Sequence, residues 1–592
     1  MVKGVQYRWQ SALVLILGAL ASPTSAQSPP PPDSLRLHQL GRSAQRQFER
    51  TRRKYMRWSN PTYGPCDIRI GRYCLSDVDW GADEDWTEPV EDGAVNVARR
   101  ALLARLDSIA GKIPGDGWIA GQRVRYLVEA QEPQRALRAA AECRAADYWW
   151  CLALAGFALY ASSDFAGAER AFADALQVME PERACEWGDL SRILDGGLRG
   201  QYRDLACAER DSLQRRILWL ADPLYSIEGN ELAGEHFARQ VHSELVKDAE
   251  TPEGDTWGRD LHRFVMRYGW TFGWERIRST TPGTVRPTVR GHFGHGAKYF
   301  LPKREFVADP FAIAPGDWDL EPERPQAGHA PPYAASAFSS MAHDVAVFLR
   351  GDSVVVAVVF ELDHETVPAD AVVETTLVGM QHETAPRFVS QDTILGRVGV
   401  LAIRIPRAPF VMSLEALAVA ERSAARVRYG ADPDRLFTYP ERREPTAFVA
   451  PPAMLSGLLM TRVDSVLPAT LDAAIRHARP SHRVRAGERI GLYWELYGAG
   501  PAARPIATSL TLSKAGKSFF GRVVGVFGIG SDKPPVSLQW TDVTTPARAF
   551  FPRAVAVDLP EHLDEGRYRL TLSVRFEDGT VMTLEKRIEV TD

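Results

Sequence analysis

Residues 257–300 hold the titratable side chains best spaced to act together: Asp260, Glu275, His292 and His295, with Lys298 and Tyr299 just beyond. Carboxylates and imidazoles of this kind do general acid–base work if the fold brings them within hydrogen-bond reach. His292 and His295 also suit a loop metal site, but no third ligand stands within sequence reach. Elsewhere the chemical motifs are incomplete. His364-Glu365 and His382-Glu383 lack the histidine three residues on that a zinc hydrolase helix carries, and no GxSxG elbow is present. Gly516-Lys517-Ser518 ends like a phosphate loop, yet Thr511 replaces the first glycine and no amphipathic helix follows to cradle phosphate. The acidic run Asp77, Asp79, Asp83, Glu84, Asp85 lacks the glycine and closing glutamate of a calcium loop. No metal or other cofactor is expected. Catalysis is the secondary reading: an envelope hydrolase with its site near 257–300.

Six cysteines fall as close pairs, Cys66 with Cys74, Cys143 with Cys151 and Cys185 with Cys207, and no CxxC occurs. An even count suits disulfides in an oxidising compartment, local pairing being the simplest of several connectivities and buried free thiols the alternative. The N-terminal residues agree with export. Lys3 and Arg8 precede a run of about ten apolar residues, too short for a bilayer, and Thr24-Ser25-Ala26 supplies the small-residue exit of a cleaved signal. Residues 1–26 are therefore expected to be removed, leaving an exported protein, periplasmic or on the outer surface, without a transmembrane segment. A net charge of -4 gives no basic footprint for nucleic acid.

The elements that must position these groups follow from periodicity. At about 150 residues per domain, 592 residues make several domains. Residues 27–94 read as a spacer: prolines at 29–32, a basic helix over 36–57, then the acidic run. Helical spacing holds over 95–182, opening with Leu102, Leu106 and Ile109 on one face. There Leu152, Gly156, Leu159, Ala168, Phe172, Ala175 and Pro181 fall close to tetratricopeptide spacing, with Ala136 marking an earlier, weaker repeat. A helical module over 183–280 and an extended surface connector over 281–335 come next. From 336 the period becomes two, predicting antiparallel β-sandwiches over 336–452 and 453–592, the second immunoglobulin-like. Arg350-Gly351-Asp352 spells an adhesion tripeptide, which a glycine-bearing hairpin turn explains equally well. The fold class is multidomain α then β.

Within 183–280 one order of residues answers to neither period: Trp219, Asp222-Pro223, Asn230, Glu235 with Arg239, Trp257-Gly258-Arg259-Asp260, and Arg267-Tyr268-Gly269. It resembles the GWxTD domain of bacterial envelope proteins, with Trp-Gly reversed and Arg-Asp in place of Thr-Asp. The resemblance implies an envelope setting and no particular reaction. The primary expectation is an exported scaffold or adaptor that holds a protein or peptide partner through its helical region. Trp219, Asn230, Glu235, Arg239, Trp257, Arg259, Asp260, Tyr268, Trp270 and Trp274 are the candidate contact residues. A glycan-binding module is a further alternative, and it requires at least two exposed tryptophans on one face.

Overall fold

The computed structural model describes residues 32–59, 68–70, 73–75, 90–254, 257–277, 288–292, 297–322, 325–334, 337–440, 453–463, 466–479, 481–498, 503–514, 536–544 and 550–591. The leader, Cys66 and with it the Cys66 to Cys74 pairing, the acidic run, His295 and Gly516-Lys517-Ser518 lie outside the described residues. The helices of the N-terminal part are α1 (Pro32–Tyr55), α2 (Gly93–Ala110), α3 (Gly117–Glu129), α4 (Pro133–Ala141), α5 (Tyr148–Ala161), α6 (Phe165–Val178), α7 (Pro181–Trp187), α8 (Gly196–Asp204), α9 (Cys207–Ala221), α10 (Glu231–Lys247) and α11 (Arg259–Tyr268). The chain is thus helical in its N-terminal part and β-rich after it. Among the described residues, no helix is long and apolar enough to cross a membrane.

Local chemistry sets these helices. Asp92, Asp116 and Asp164 accept backbone N–H groups at the starts of α2, α3 and α6, and α2 stops at Gly111. Leu102, Leu106 and Ile109 are buried on one face of α2 as their spacing requires. In α5, a Cβ at Gly156 would lie 2.7 Å from the Phe172 ring, so only glycine admits α6 this closely. Ala168, Phe172 and Ala175 are buried at that contact. Disulfides join Cys143 to Cys151, between α4 and α5, and Cys185 to Cys207, from α7 to the first residue of α9.

The basic helix is part of the core. Gln45, Glu49 and Arg52 of α1 are almost fully buried. Arg52 pairs with Glu129 of α3 and lies 3.6 Å from both Glu49 and Glu91. Burial works against the Glu129 charge, but Arg52, Arg125 and Arg99 override it and hold its pKa at about 2.

Short strands flank the helices. β1 (Trp58–Ser59) pairs in parallel with β4 (Gly273–Ile277), which pairs with β5 (Thr288–His292), while β2 (Ile68–Ile70) and β3 (Tyr73–Leu75) form their own antiparallel pair. Residues 297–322 and 325–334, expected over the surface, are exposed at 303–305 and 314–317 but also send side chains into the interior. Phe300, Leu301, Phe306, Val307, Ala327 and Ala334 are buried between the helices and the following sheet, which explains why this proline-rich stretch carries apolar side chains.

The first β unit comprises β6 (Ala337–Ser339), β7 (Ala342–Arg350), β8 (Ser353–Glu361), β9 (Val372–Met380), β10 (Phe388–Leu395), β11 (Val398–Pro406), β12 (Phe410–Ala418) and β13 (Ser423–Ala431). They form a sheet of order β10-β9-β12-β13-β6 and a second of order β11-β8-β7, sharing one core. The second unit holds β14 (Met454–Leu455), β15 (Leu459–Thr461), β16 (Arg483–Arg485), β17 (Arg489–Tyr497), β18 (Pro505–Lys514), β19 (Val536–Val543), β20 (Phe550–Asp558), β21 (Gly566–Phe576) and β22 (Val581–Thr591). β8 reads as an unbroken apolar run because both its faces are covered. Val354, Val356, Val358 and Phe360 face the first unit's core, and Ala357 and Val359 face Leu459, Leu471 and Tyr493 of the second. The two units touch closely enough that a Cβ on Gly457 would fall 2.7 Å from the Ala346 backbone.

Candidate functional site

The motif residues of 217–270 build a joint between the helical and β regions. Trp219 is buried near the end of α9, its indole N–H 3.4 Å from the Met380 sulfur on β9. An α-helix ends with unpaired carbonyls, and β12 and β13 supply groups that answer them. Arg428 donates to the carbonyls of Leu220 at 2.8 Å and Asp222 at 2.6 Å, and Arg426 to those of Asp222 and Pro223, each at 3.1 Å. Glu415 accepts the backbone N–H groups of Tyr225 and Ser226, both at 2.8 Å, and the Ser413 hydroxyl at 2.6 Å. Burial, with Glu415 nearby, raises the Asp222 carboxyl well above the usual range despite Arg428. Asn230 caps α10 by accepting the Ala233 N–H at 2.9 Å and donates to the Leu218 carbonyl at 2.8 Å.

One turn on, Glu235 and Arg239 pair at 2.6 Å as their spacing allows. Arg239 also donates to the carbonyls of Met266 at 3.0 Å and Gly328 at 2.7 Å, tying α10 to the end of α11 and to the buried segment 325–334. Burial would raise the Glu235 carboxyl, but Arg239, His329 and Tyr160 hold it low. Tyr268 is buried and donates to the Pro325 carbonyl at 3.3 Å. Trp270 stacks on His242 with ring centroids 5.1 Å apart, and the Trp274 N–H donates to Glu253 at 2.7 Å. Trp257 is partly buried beside His262, while Arg259 and Asp260 are exposed in the first turn of α11. Trp219, Asn230, Glu235, Arg239, Tyr268, Trp270 and Trp274 are thus engaged inside the molecule. Of the tryptophans at 219, 257, 270 and 274, Trp219 is buried and the other three are half-buried.

The catalytic alternative comes together only in part. His292 on β5 lies 3.1 Å from Glu275 on β4, an imidazole–carboxylate pair across two strands. Among the described residues no hydrogen bond or ion pair joins Asp260 to either of them, and no cluster of three or more potential metal ligands occurs.

The residues that form an open site lie elsewhere. A pocket of about 320 Å³, in the size range of ligand sites, opens where the α2–α3 and α4–α5 loops meet α7 and α10. Trp118, Trp149 and Trp150 wall it, all partly exposed, and Gln122, Asp147, Arg183 and Glu244 supply its polar rim. The planes are held in place: the Trp150 N–H donates to the Gly117 carbonyl at 2.9 Å, Trp149 meets Trp187 edge-on at 5.2 Å, and the Arg183 guanidinium covers Trp149 at 4.3 Å. Tyr148 stands 63% exposed beside it. The sequence signal is Asp147-Tyr148-Trp149-Trp150 at the start of α5. Adjacent helical positions point in different directions, so three consecutive aromatics cannot all serve one core face.

No family model matches this chain, and no curated protein matches it. Among solved structures it is similar to red sea bream transglutaminase, at a TM-score of 0.13 and 10% identity over 42% of this chain and 31% of that one. It is also similar to a DUF3823-family protein of Bacteroides ovatus, at a TM-score of 0.15 and 9% identity over 38% of this chain and 91% of that one. The chain thus spans less than a third of the transglutaminase. Likeness at this level carries no argument about fold or function.

Proposed function

We propose that this chain is an exported adaptor of the bacterial envelope, related to GWxTD proteins, that holds a protein or peptide partner at the aromatic pocket of its helical region. The observation that carries this reading is the pocket itself: three tryptophan planes with a mixed polar rim, fixed by a disulfide-tied helix pair. Aromatic side chains set in a rigid frame make strong interface anchors because they bring large contact area at little entropic cost. Paired cysteines suit an oxidising compartment. In this reading α3 to α6 are a short tetratricopeptide-like platform and the β units are immunoglobulin-like spacers, the first of them clamped to the end of α9 through Glu415, Arg426 and Arg428. The buried motif residues serve the platform indirectly, by fixing its angle to the spacers.

The test is affinity capture from envelope extract on the chain from Gln27 onward, with cross-linked peptides mapped by mass spectrometry. The control carries Asp147→Lys and Tyr148→Glu, both exposed positions. A protein that cross-links near 115–150 and is depleted from the control supports the adaptor. Equal recovery on both baits would sink it.

A further inference from the structure

We infer that two copies of this chain pair through β10, their strands antiparallel and Gln391 of each on the two-fold axis. β10 is an end strand of the sheet β10-β9-β12-β13-β6, so among the described residues one side of it meets no strand. Its register with β9 runs unbroken from Phe388 opposite Gly379 to Leu395 opposite Val372, without bulge, proline or lysine, and its only charge is Asp392. Those missing features are the ones that ordinarily keep an end strand from pairing with another chain. The other end of the sheet, β6, is only three residues long, and β7 of the neighbouring sheet is covered where the Gly457 N–H donates to the Val347 carbonyl at 3.1 Å. Exposed apolar residues gather at β10: Val389 is 47% exposed and Leu395 75%, with Val372 and Val398 beside the turn at 60% and 41%.

Backbone direction fixes what the open side offers. In an antiparallel ladder the N–H and C=O of one residue point the same way, and the direction alternates along the strand. The Gly396 N–H donates to the Ala371 carbonyl at 2.8 Å and the Asp392 carbonyl accepts the Thr375 hydroxyl at 2.9 Å, so even-numbered residues address β9. Val389, Gln391, Thr393 and Leu395 address the open side, and all four are exposed. The Thr393 N–H agrees: it is held at 2.9 Å by the carboxylate of the adjoining Asp392.

The residue pattern selects a second copy as the occupant. A two-fold axis perpendicular to the sheet keeps the same face of both strands on the same side, so only residues an even number apart can oppose each other. With Gln391 on the axis, Phe388 meets Ile394, Val389 meets Thr393 and Ser390 meets Asp392. Phe388 and Ile394 are half-buried at the rim of the first unit's core, and their meeting, twice over, closes the open side of both cores. The Thr393 N–H passes to the Val389 carbonyl opposite, and the Ser390 hydroxyl of the second copy takes over the Asp392 carboxylate. Leu395 meets the aliphatic stem of Arg387. Centring on Asp392 would set like charges face to face, and centring on Ser390 would set Phe388 against Asp392, so both neighbouring registers are disfavoured.

The test is sedimentation velocity of the full chain from Gln27 across a dilution series. One added strand pair buries less than a standard interface, so reversible dimers in the micromolar range are expected. Gln391→Pro removes the N–H at the axis from both copies and spares the β9 ladder, since Gln391 addresses only the open side. It should weaken association at least about tenfold while the monomer's thermal unfolding stays unchanged. A second variant avoids proline: in Gln391→Cys the opposed Cα atoms would stand about 5.5 Å apart, inside the disulfide range. Mild oxidation should give a covalent dimer from Gln391→Cys and none from Thr393→Cys, which faces Val389 of the second copy. A chain that stays monomeric at every concentration overturns the inference. Association that Gln391→Pro leaves intact, or coupling as ready from 393 as from 391, overturns it by placing the contact on another surface. A Gln391→Cys chain that couples to a different envelope protein and not to itself overturns it in favour of a foreign strand.

Discussion

Arg350 belongs to the adhesion-like tripeptide, and the structure gives it an internal task that can be measured. It ends β7 and donates through both terminal nitrogens to Glu495 on β17, at 2.7 and 2.8 Å, clamping the two β units together. The Glu495 side chain is 0% exposed, and the Tyr493 and Tyr497 hydroxyls donate to its two oxygens at 2.7 and 2.5 Å. Truncating Arg350 to alanine leaves a buried carboxylate with two neutral donors and no bound cation. Breaking one side of such a pair costs about 3–5 kcal/mol. The Arg350 side chain is itself 21% exposed, so water reaches the gap and the lower end applies, about 3 kcal/mol. The assay is hydrogen exchange of the β17 amides, where about 3 kcal/mol of lost local stability speeds exchange roughly a hundredfold. Adding Glu495→Gln to Arg350→Ala should recover part of the loss, since it removes the unpaired charge while its amide still meets the Tyr493 and Tyr497 hydroxyls. Exchange accelerated less than about fivefold in Arg350→Ala would refute the reasoning, as would a double variant no better than the single.

Burial raises the Asp222 carboxyl despite Arg428, so its folded pKa lies above its unfolded one. Its unfavourable contribution is absent below the unfolded value and grows as pH rises toward the folded one. Asp222→Asn should therefore add about 1–3 kcal/mol at pH 8 and close to nothing at pH 4; equal effects at both would contradict the assignment. In α5, Gly156→Ala puts a methyl group against Phe172, and the overpacking, about 1–3 kcal/mol, should exceed the gain in helix propensity of about 1 kcal/mol. Thermal unfolding should show a net loss that Phe172→Leu partly relieves. Removing Cys185–Cys207 with paired serines should cost about 3 kcal/mol for a 22-residue separation, and an unchanged denaturation midpoint would show the bridge to be idle.

Much of the architecture was legible because it rests on local pattern. The α2 face and its stop at Gly111, the Gly351-Asp352 hairpin turn, and the alternation of Tyr568, Leu570, Leu572, Val574 and Phe576 in β21 all appear as the periodicity requires. The closing turn of β21–β22 is longer than the Asp578-Gly579 pair alone, since the Phe576 N–H bonds back to the Thr580 carbonyl. Where two elements share one apolar run the pattern does not mark their boundary: within 411–428, residues 419–422 turn the chain from β12 into β13. Position i, i+4 places Glu235 beside Arg239, yet the carbonyls that Arg239 also binds lie 27 and 89 residues away. Glu415, Arg426 and Arg428 alternate with apolar neighbours as solvent-facing residues would; their burial follows from the helical region docking on that sheet face. The candidate site was the least legible part. The aromatics at 217–274 stood out by resemblance and have partners within the molecule, whereas Trp149 and Trp150 lay within a helix already explained by its repeat spacing.

A partner seated on the aromatic pocket would lie within reach of Tyr148, which is 63% exposed. The most direct test places a photo-cross-linking amino acid at Tyr148, exposed at the pocket's edge, and for comparison at Val543, 57% exposed on β19, with the chain expressed in its native cells. A discrete adduct from position 148, absent from position 543 and suppressed by Asp147→Lys, is the predicted result. Identical labelling from both positions, or no adduct at 148 while the chain is correctly exported, would contradict it.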